Sequence, residues 1–218
     1  MTRLHLRAYA SWVFDCDGVL LDSNKLKTLA FRELAAPFGK DIASSFVAWH
    51  QETGGVSRFT KVRHLVEELL GRRGDEALVS ELIERFGTLV EQALIDAPLI
   101  PGVRELLEAL PRGTEAWVVS GGLESEVRAA MAAKSLTRHF AGIYGSPATK
   151  DQILQRIAAT HGLANGVFFG DARHDMEVAG RFALDFVFVS DASDDPAVGR
   201  SCERVVGDLR EVHIGADG

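Results

Sequence analysis

The stretch WVFDCDGVLLDSN, Trp12–Asn24, decides how this chain is read. Its apolar run, Trp12 to Phe14, carries straight into Asp15, and Asp17 and Asp22 follow closely. A strand buried on both faces is continuously apolar. Charge at its end is costly unless it is paired or held by a metal. The carboxylates therefore point to a compensating group at the end of this strand.

Working outward, the same pattern recurs. EAWVVSGG (115–122) reads as a second strand and its exit loop, FAGIYGS (140–146) contains a third, GVFFGD (166–171) a fourth and DFVFVSD (185–191) a fifth. Helical segments separate them: ESEVRAAMAAK (124–134), KDQILQRIAATHG (150–162) and HDMEVAGRFA (174–183). Alternation of this kind predicts an α/β fold with a doubly wound, Rossmann-like parallel sheet.

One connection breaks the rhythm. The first strand ends near Asp15 and the second starts near Glu115, far more chain than a crossover needs. The excess reads as four helices. In KLKTLAFRELAAPF (25–38), Leu26, Leu29, Ala30 and Leu34 share a face. DIASSFVAWHQET (41–53) is a shorter piece. In SRFTKVRHLVEELL (57–70), Phe59, Val62, Val66 and Leu69 recur at helical spacing, and Leu78, Leu82, Ile83, Phe86 and Val90 do so in the segment from Asp75 to Leu94. The expected division is a core of residues 1–21 and 98–218 with a helical cap at 22–97, re-entering through DAPLIPG (96–102).

Composition narrows the function classes. The chain has 218 residues, 46% hydrophobic and 25% charged, which predicts a folded globular protein. A net charge of −7 argues against nonspecific binding to nucleic acid or anionic membrane. No stretch approaches the roughly 18 apolar residues of a membrane span, and no signal peptide is read before Asp15. Two cysteines, Cys16 and Cys202, make no disulfide framework and suit a cytoplasmic protein. A monomer and a homodimer fit the sequence equally.

In a sheet of this type the strand ends at one edge form the binding crevice. The expected edge carries Asp15 and Asp17, then Ser120, Gly121 and Gly122, then Lys150 just after the third strand, then Asp171 with Asp175 one helical turn on. Taken singly, each has a plainer reading. Asp17-Gly18 could be a turn, Ser120 a helix cap, Lys150 a solvated helix-start lysine, and Asp171 and Asp175 favourable charges at a helix N-terminus. None of these explains the whole set.

The four segments together resemble the motifs of the haloacid dehalogenase superfamily of phosphotransferases. FDCDGVLLD is similar to its first motif, VVSGG to its second, the lysine of SPATKDQIL to its third, and GDARHD to its fourth. The inserted helices resemble the family's alpha-helical cap. The resemblance implies Asp15 as nucleophile forming an aspartyl-phosphate, and Asp17 as general acid/base. It implies Ser120, Gly121 and Lys150 as the phosphate cradle. It implies Mg²⁺ held by Asp15, Asp171 and Asp175, with Asp17 contributing its backbone carbonyl. Dehalogenating members lack an acid at the Asp17 position, so phosphoryl chemistry is favoured over carbon–halogen cleavage.

The GGVSRF segment (54–59) is the remaining feature. Gly54 and Gly55 break helical periodicity, Ser57 can cap the next helix, and Arg58 follows. Arg58 reads either as an exposed arginine or as a cap residue reaching a remote anionic or hydroxyl group of the substrate. GVSR resembles the cap of beta-phosphoglucomutase-like members. Those members carry histidine where Lys27 stands, lysine where Gly54 stands and glutamate where Gly170 stands. The expectation is an Mg²⁺-dependent phosphomonoester hydrolase acting on a small phosphorylated metabolite, with a sugar phosphate preferred. A phosphomutase and a non-catalytic binding or regulatory domain are the alternatives.

Overall fold

The computed structural model describes residues 4–6 and 9–215. The outermost residues of the expected core, 1–3 and 216–218, lie outside the described residues. The strands are β1 (Leu4–Leu6), β2 (Ser11–Phe14), β3 (Glu115–Leu123), β4 (Gly142–Ser146), β5 (Gly166–Gly170), β6 (Asp185–Val189), β7 (Val205–Val206) and β8 (Val212–Ile214). Six of them form one sheet in the order β4-β3-β2-β5-β6-β7. Every pairing in it is parallel. β1 and β8 make a separate parallel pair.

The apolar run that opens β2 explains the layering. Successive side chains of a strand face opposite sides. Trp12 and Phe14 enter one core with Val103, Leu106 and Leu107 of α5 (Val103–Ala109) and Val127, Ala130 and Met131 of α6 (Glu124–Ala133). Val13 enters the other with Ile153, Leu154 and Ile157 of α7 (Lys150–Thr160) and Val178 and Ala179 of α8 (Arg173–Arg181). Trp12 stacks on Phe169 at 5.5 Å between ring centroids, and Phe14 does so at 5.0 Å. The sheet is thus doubly wound, as its continuous apolar strands predict.

The order of strands reverses between β2 and β5, which lie side by side. That junction is where open α/β sheets bind ligands. Asp15 follows β2 directly, and Asp171 follows β5. The Asp15 N–H donates to the Phe169 carbonyl at 2.9 Å, so the pairing continues up to the first acid.

Between β2 and β3 lie α1 (Asn24–Ala35), α2 (Lys40–Glu52), α3 (Arg58–His64) and α4 (Glu76–Asp96). They share a core of their own that includes Ala30, Phe31, Leu34, Phe46, Val62 and Phe86. Phe31 stacks on Phe86 at 4.1 Å. Ser57 caps α3, accepting from the Thr60 N–H. Two expectations are corrected. Leu29 is 64% exposed, and Phe31, one position from Ala30, takes the buried face instead. The helix expected to run on to Leu69 turns π-helical at Leu65–Leu69.

The two chain crossings between insertion and sheet run beside each other. The Asp22 N–H donates to the Pro98 carbonyl at 2.9 Å, and the Ile100 N–H to the Leu20 carbonyl at 3.0 Å. Among the described residues no helix is long and apolar enough to cross a membrane.

Candidate active site

Three carboxylates converge at the β2/β5 junction. Asp15, Asp171 and Asp175 are all buried, and each offers an oxygen within 4.8 Å of the others. Their backbones explain how they meet. Asp15 and Asp171 leave adjacent strands, while Asp175 sits in the first turn of α8 with Oδ2 accepting from the Ala172 N–H at 3.3 Å. Gly18 has φ +74°, and a Cβ there would stand 2.3 Å from Asp171 Oδ2. Gly170 serves similarly: a Cβ would stand 2.3 Å from the Asp175 Cβ. Both glycines are fixed by close approach to the acids.

Lys150, the first residue of α7, is the counter-charge. Its Nζ donates to Asp175 Oδ1 at 2.5 Å and stands 3.0 Å from Asp15 Oδ1. The latter is a charge contact without hydrogen-bond alignment, for Asp15 Oδ1 has no hydrogen bond among the described residues. Lys150 is held fully charged: burial opposes its charge, and Asp15 and Asp175 outweigh that. One lysine does not compensate three acids. Burial, with Asp175 and Asp17 nearby, pushes the Asp15 carboxyl up to about 7 despite Lys150. Burial and the charges of Asp15 and Asp175 push Asp171 well above the usual carboxylate range. Three buried carboxylates share this one ammonium.

Asp17 stands in a different environment. Burial opposes its ionisation, but an ion pair to Lys27 and a 2.5 Å hydrogen bond from Ser23 Oγ hold its carboxyl below the usual range. Its carboxylate is directed at Ser23 and Lys27, apart from the three converging acids. Ser120 is fully buried, and its Oγ accepts from the Gly122 N–H at 2.9 Å, which leaves the hydroxyl proton free to donate. Gly121 and Gly122, expected in an exit loop, lie within β3 at the register shift between the paired Val119 and Leu123.

The Gly54-Gly55 loop of the helical insertion sits on this edge. A Cβ at Gly121 would stand 2.4 Å from the Gly55 carbonyl oxygen, and one at Gly54 2.9 Å from the Ala172 Cβ. At Gly121 backbone meets backbone, and at Gly54 backbone meets the Ala172 methyl, which is the use of glycines in both segments. A cleft between insertion and sheet is lined by Asp15, Asp17, Asp171, Lys27, Arg58 and Lys61, among others. Arg58 lines it but is not exposed. It is 4% accessible, lies 4.7 Å over the Phe86 ring, and forms a two-point ion pair with Glu126 of α6. Both terminal nitrogens are thereby engaged, so the geometry gives Arg58 a link between insertion and core rather than a free hand for substrate.

Three further residues stand at the site: Asn24 and Ser193, which the sequence does not single out, and Lys27, which it marks only as a departure from the mutase pattern. Asn24 donates to Asp171 Oδ2 at 2.6 Å and to the Ala192 carbonyl at 2.8 Å. Lys27 pairs with Asp17. Ser193 Oγ donates to the Asp171 carbonyl at 2.6 Å. A signal for Asn24 and Lys27 was available: a helix that starts directly after an acid-bearing loop keeps its first turn beside those acids. Cys16 is buried, and burial with Asp17 beside it raises its thiol well above the ordinary value.

Sheet order, site chemistry and helical insertion define a single class of protein. Residues 12–182 match the haloacid dehalogenase-like hydrolase family, and the chain belongs to it. Solved structures share its fold. One from Clostridium difficile, described as a beta-phosphoglucomutase, is 17% identical, covers 93% of this chain and 92% of its own, and has a TM-score of 0.76. One from Lactobacillus plantarum, described as a phosphoglycolate phosphatase, is 18% identical over 94% of this chain and 97% of its own, at TM-score 0.73. A third, from Bacillus subtilis, is described as a HAD-hydrolase bound to magnesium; it is 19% identical over 94% and 96%, at TM-score 0.67. No curated protein matches the chain by sequence.

Proposed function

We propose that this protein is a Mg²⁺-dependent phosphomonoester hydrolase that acts on a small phosphorylated metabolite through an aspartyl-phosphate. The observation that carries this reading is the uncompensated trio of Asp15, Asp171 and Asp175 around Lys150. The donor set is all hard oxygen, which suits Mg²⁺. The Asp15 oxygen without a hydrogen bond and the raised Asp15 and Asp171 carboxyls fit a cation there. When bound, Mg²⁺ supplies positive charge against which a phosphoryl group and a carboxylate can approach each other.

The protein groups divide the remaining work. Asp15 attacks phosphorus, and the ester oxygen leaves with a proton from Asp17. The ion pair with Lys27 stabilises the carboxylate that Asp17 becomes on giving up that proton, and this form takes a proton back from the water that hydrolyses the aspartyl-phosphate, which restores the acid. Ser120 donates its free hydroxyl proton to a phosphoryl oxygen, the Gly121 backbone borders the same space, and Lys150 offsets charge on Asp15. Residues 22–97 act as a cap that seats Gly54 and Gly55 over the site and excludes water.

The hydrolase is favoured over a mutase by Gly170. The mutase members carry glutamate there, whereas here any side chain would displace Asp175. A panel of phosphate esters assayed with Mg²⁺ and with excess chelator tests the reading. The expected result is inorganic phosphate released only with the metal. An isomerised ester would make it a mutase, and no turnover of any ester would make it a binding domain.

A further inference from the structure

Lys61 is the buried cation that the proposed chemistry leaves unused. It lies on α3, is 3% accessible and borders the cleft. Its Nζ is 2.6 Å from His50 Nδ1 and 3.2 Å from the His50 carbonyl. An ammonium has three protons to give, so one is left for the cleft. The neighbouring hydrogen bonds fix the histidine. Thr28 Oγ1 donates to Asp194 Oδ2 at 3.2 Å, so His50 Nε2, 3.1 Å away, donates to Thr28 and leaves Nδ1 to accept from Lys61. His50 is thus neutral, and burial with Lys61 and Lys27 nearby pushes it down to about 2.

Of the other cations that line the cleft, Lys27 has Asp17 and Arg58 has Glu126 in contact, while Arg173 is exposed to solvent; Lys150, behind the cleft, has Asp15 and Asp175. Among the described residues Lys61 has none within ion-pair distance. An ammonium buried without an anion is destabilising unless something completes it. Burial, with Lys27 adding to it, pushes Lys61 down to about 7. Asp194, also on the cleft, opposes that shift only from beyond ion-pair distance, so an oxyanion entering the cleft would complete Lys61.

We propose that Lys61, held by His50 and backed by Lys27, is a second anion site in the cleft, so that the substrates are small phosphomonoesters carrying a further acidic group. The proposal rests on the phosphoester reading above and names its substrate class. A carboxylate and a second phosphate share the chemistry that Lys61 recognises.

Substrate pairs that differ in the second acidic group test it: 2-phosphoglycolate against ethyl phosphate for the carboxylate, and glucose 1,6-bisphosphate against glucose 6-phosphate for the phosphate. In the wild type, kcat/KM for the acid-bearing member of at least one pair should be higher by about tenfold or more, as for a hydrogen bond to a charged group. The pair that shows it identifies the source. Lys61→Met should erase the preference through KM, and Lys61→Arg should keep most of it. A wild type without the preference in either pair overturns the proposal, whether or not the variants fold. So does a well-folded Lys61→Met that keeps it. Release of no phosphate from any ester would instead contradict the phosphatase reading. Calorimetry of the same four compounds on Asp15→Asn with Mg²⁺ then decides the anion site by binding alone: preference for an acid-bearing member supports it, and equal affinity overturns it.

Discussion

Neighbouring acids on one loop, Asp15 and Asp17, are driven in opposite directions by what stands beside them. Asp15 faces burial and other carboxylates and rises to about 7, while Asp17 meets Lys27 and Ser23 and is lowered. Asp17→Asn should therefore reduce kcat by about 10²–10⁴-fold, the usual contribution of a general acid–base group. Its Mg²⁺ affinity should change far less, because that carboxylate points away from the trio; kinetics beside a metal titration check both. Lys61 gives a pH prediction. Its folded pKa of about 7 lies below its ordinary 10.5, so between these values the unfolded chain holds more protons. Stability then rises with pH across that window. Urea unfolding near pH 7 and near pH 10 should show the wild type gaining stability relative to Lys61→Met.

At the scale of elements, the sheet was legible because its strands are continuous apolar runs whose two faces feed two cores. Trp12, Val13 and Phe14 show this within a single strand. β7, with two residues, and β1 and β8, with His5 and His213 among three residues each, carry no comparable run and were not read. α1 was found by its apolar period, but the period says nothing of its polar first turn, where Asn24 and Lys27 reach the acids. Arg58 was legible as a residue of interest, yet its partner Glu126 lies on a helix distant in sequence. Phe169→Ala should cost about 3–5 kcal/mol in urea unfolding, since it removes a ring stacked on Trp12 and Phe14. Gly121→Ala should act on function instead. The added methyl meets the Gly55 carbonyl, so the loop cannot seat, and kcat/KM should fall by about 10²-fold, as for small misplacements of a reacting group. Its thermal midpoint should stay near that of the wild type.

For the whole molecule, ion pairs tie the helical insertion to the rest of the chain: Lys27 to Asp17 in the loop after β2, and Arg58 to Glu126 of α6. Glu126→Gln leaves the Arg58 guanidinium buried without its carboxylate, which should cost about 3 kcal/mol, the lower end for breaking a buried pair. Opening of the insertion relieves that cost. Faster amide exchange along α3, with β2 unaffected, is the expected signature. The central claim is that insertion and sheet together present a phosphoryl group to Asp15. Its most direct test is mass spectrometry of enzyme quenched in acid during turnover of a phosphate ester with Mg²⁺. The account predicts one phosphoryl group on the peptide containing Asp15, absent when metal is chelated and absent in Asp15→Asn. Phosphate release by a well-folded Asp15→Asn at the wild-type rate, with no phosphorylated peptide in either protein, would contradict it.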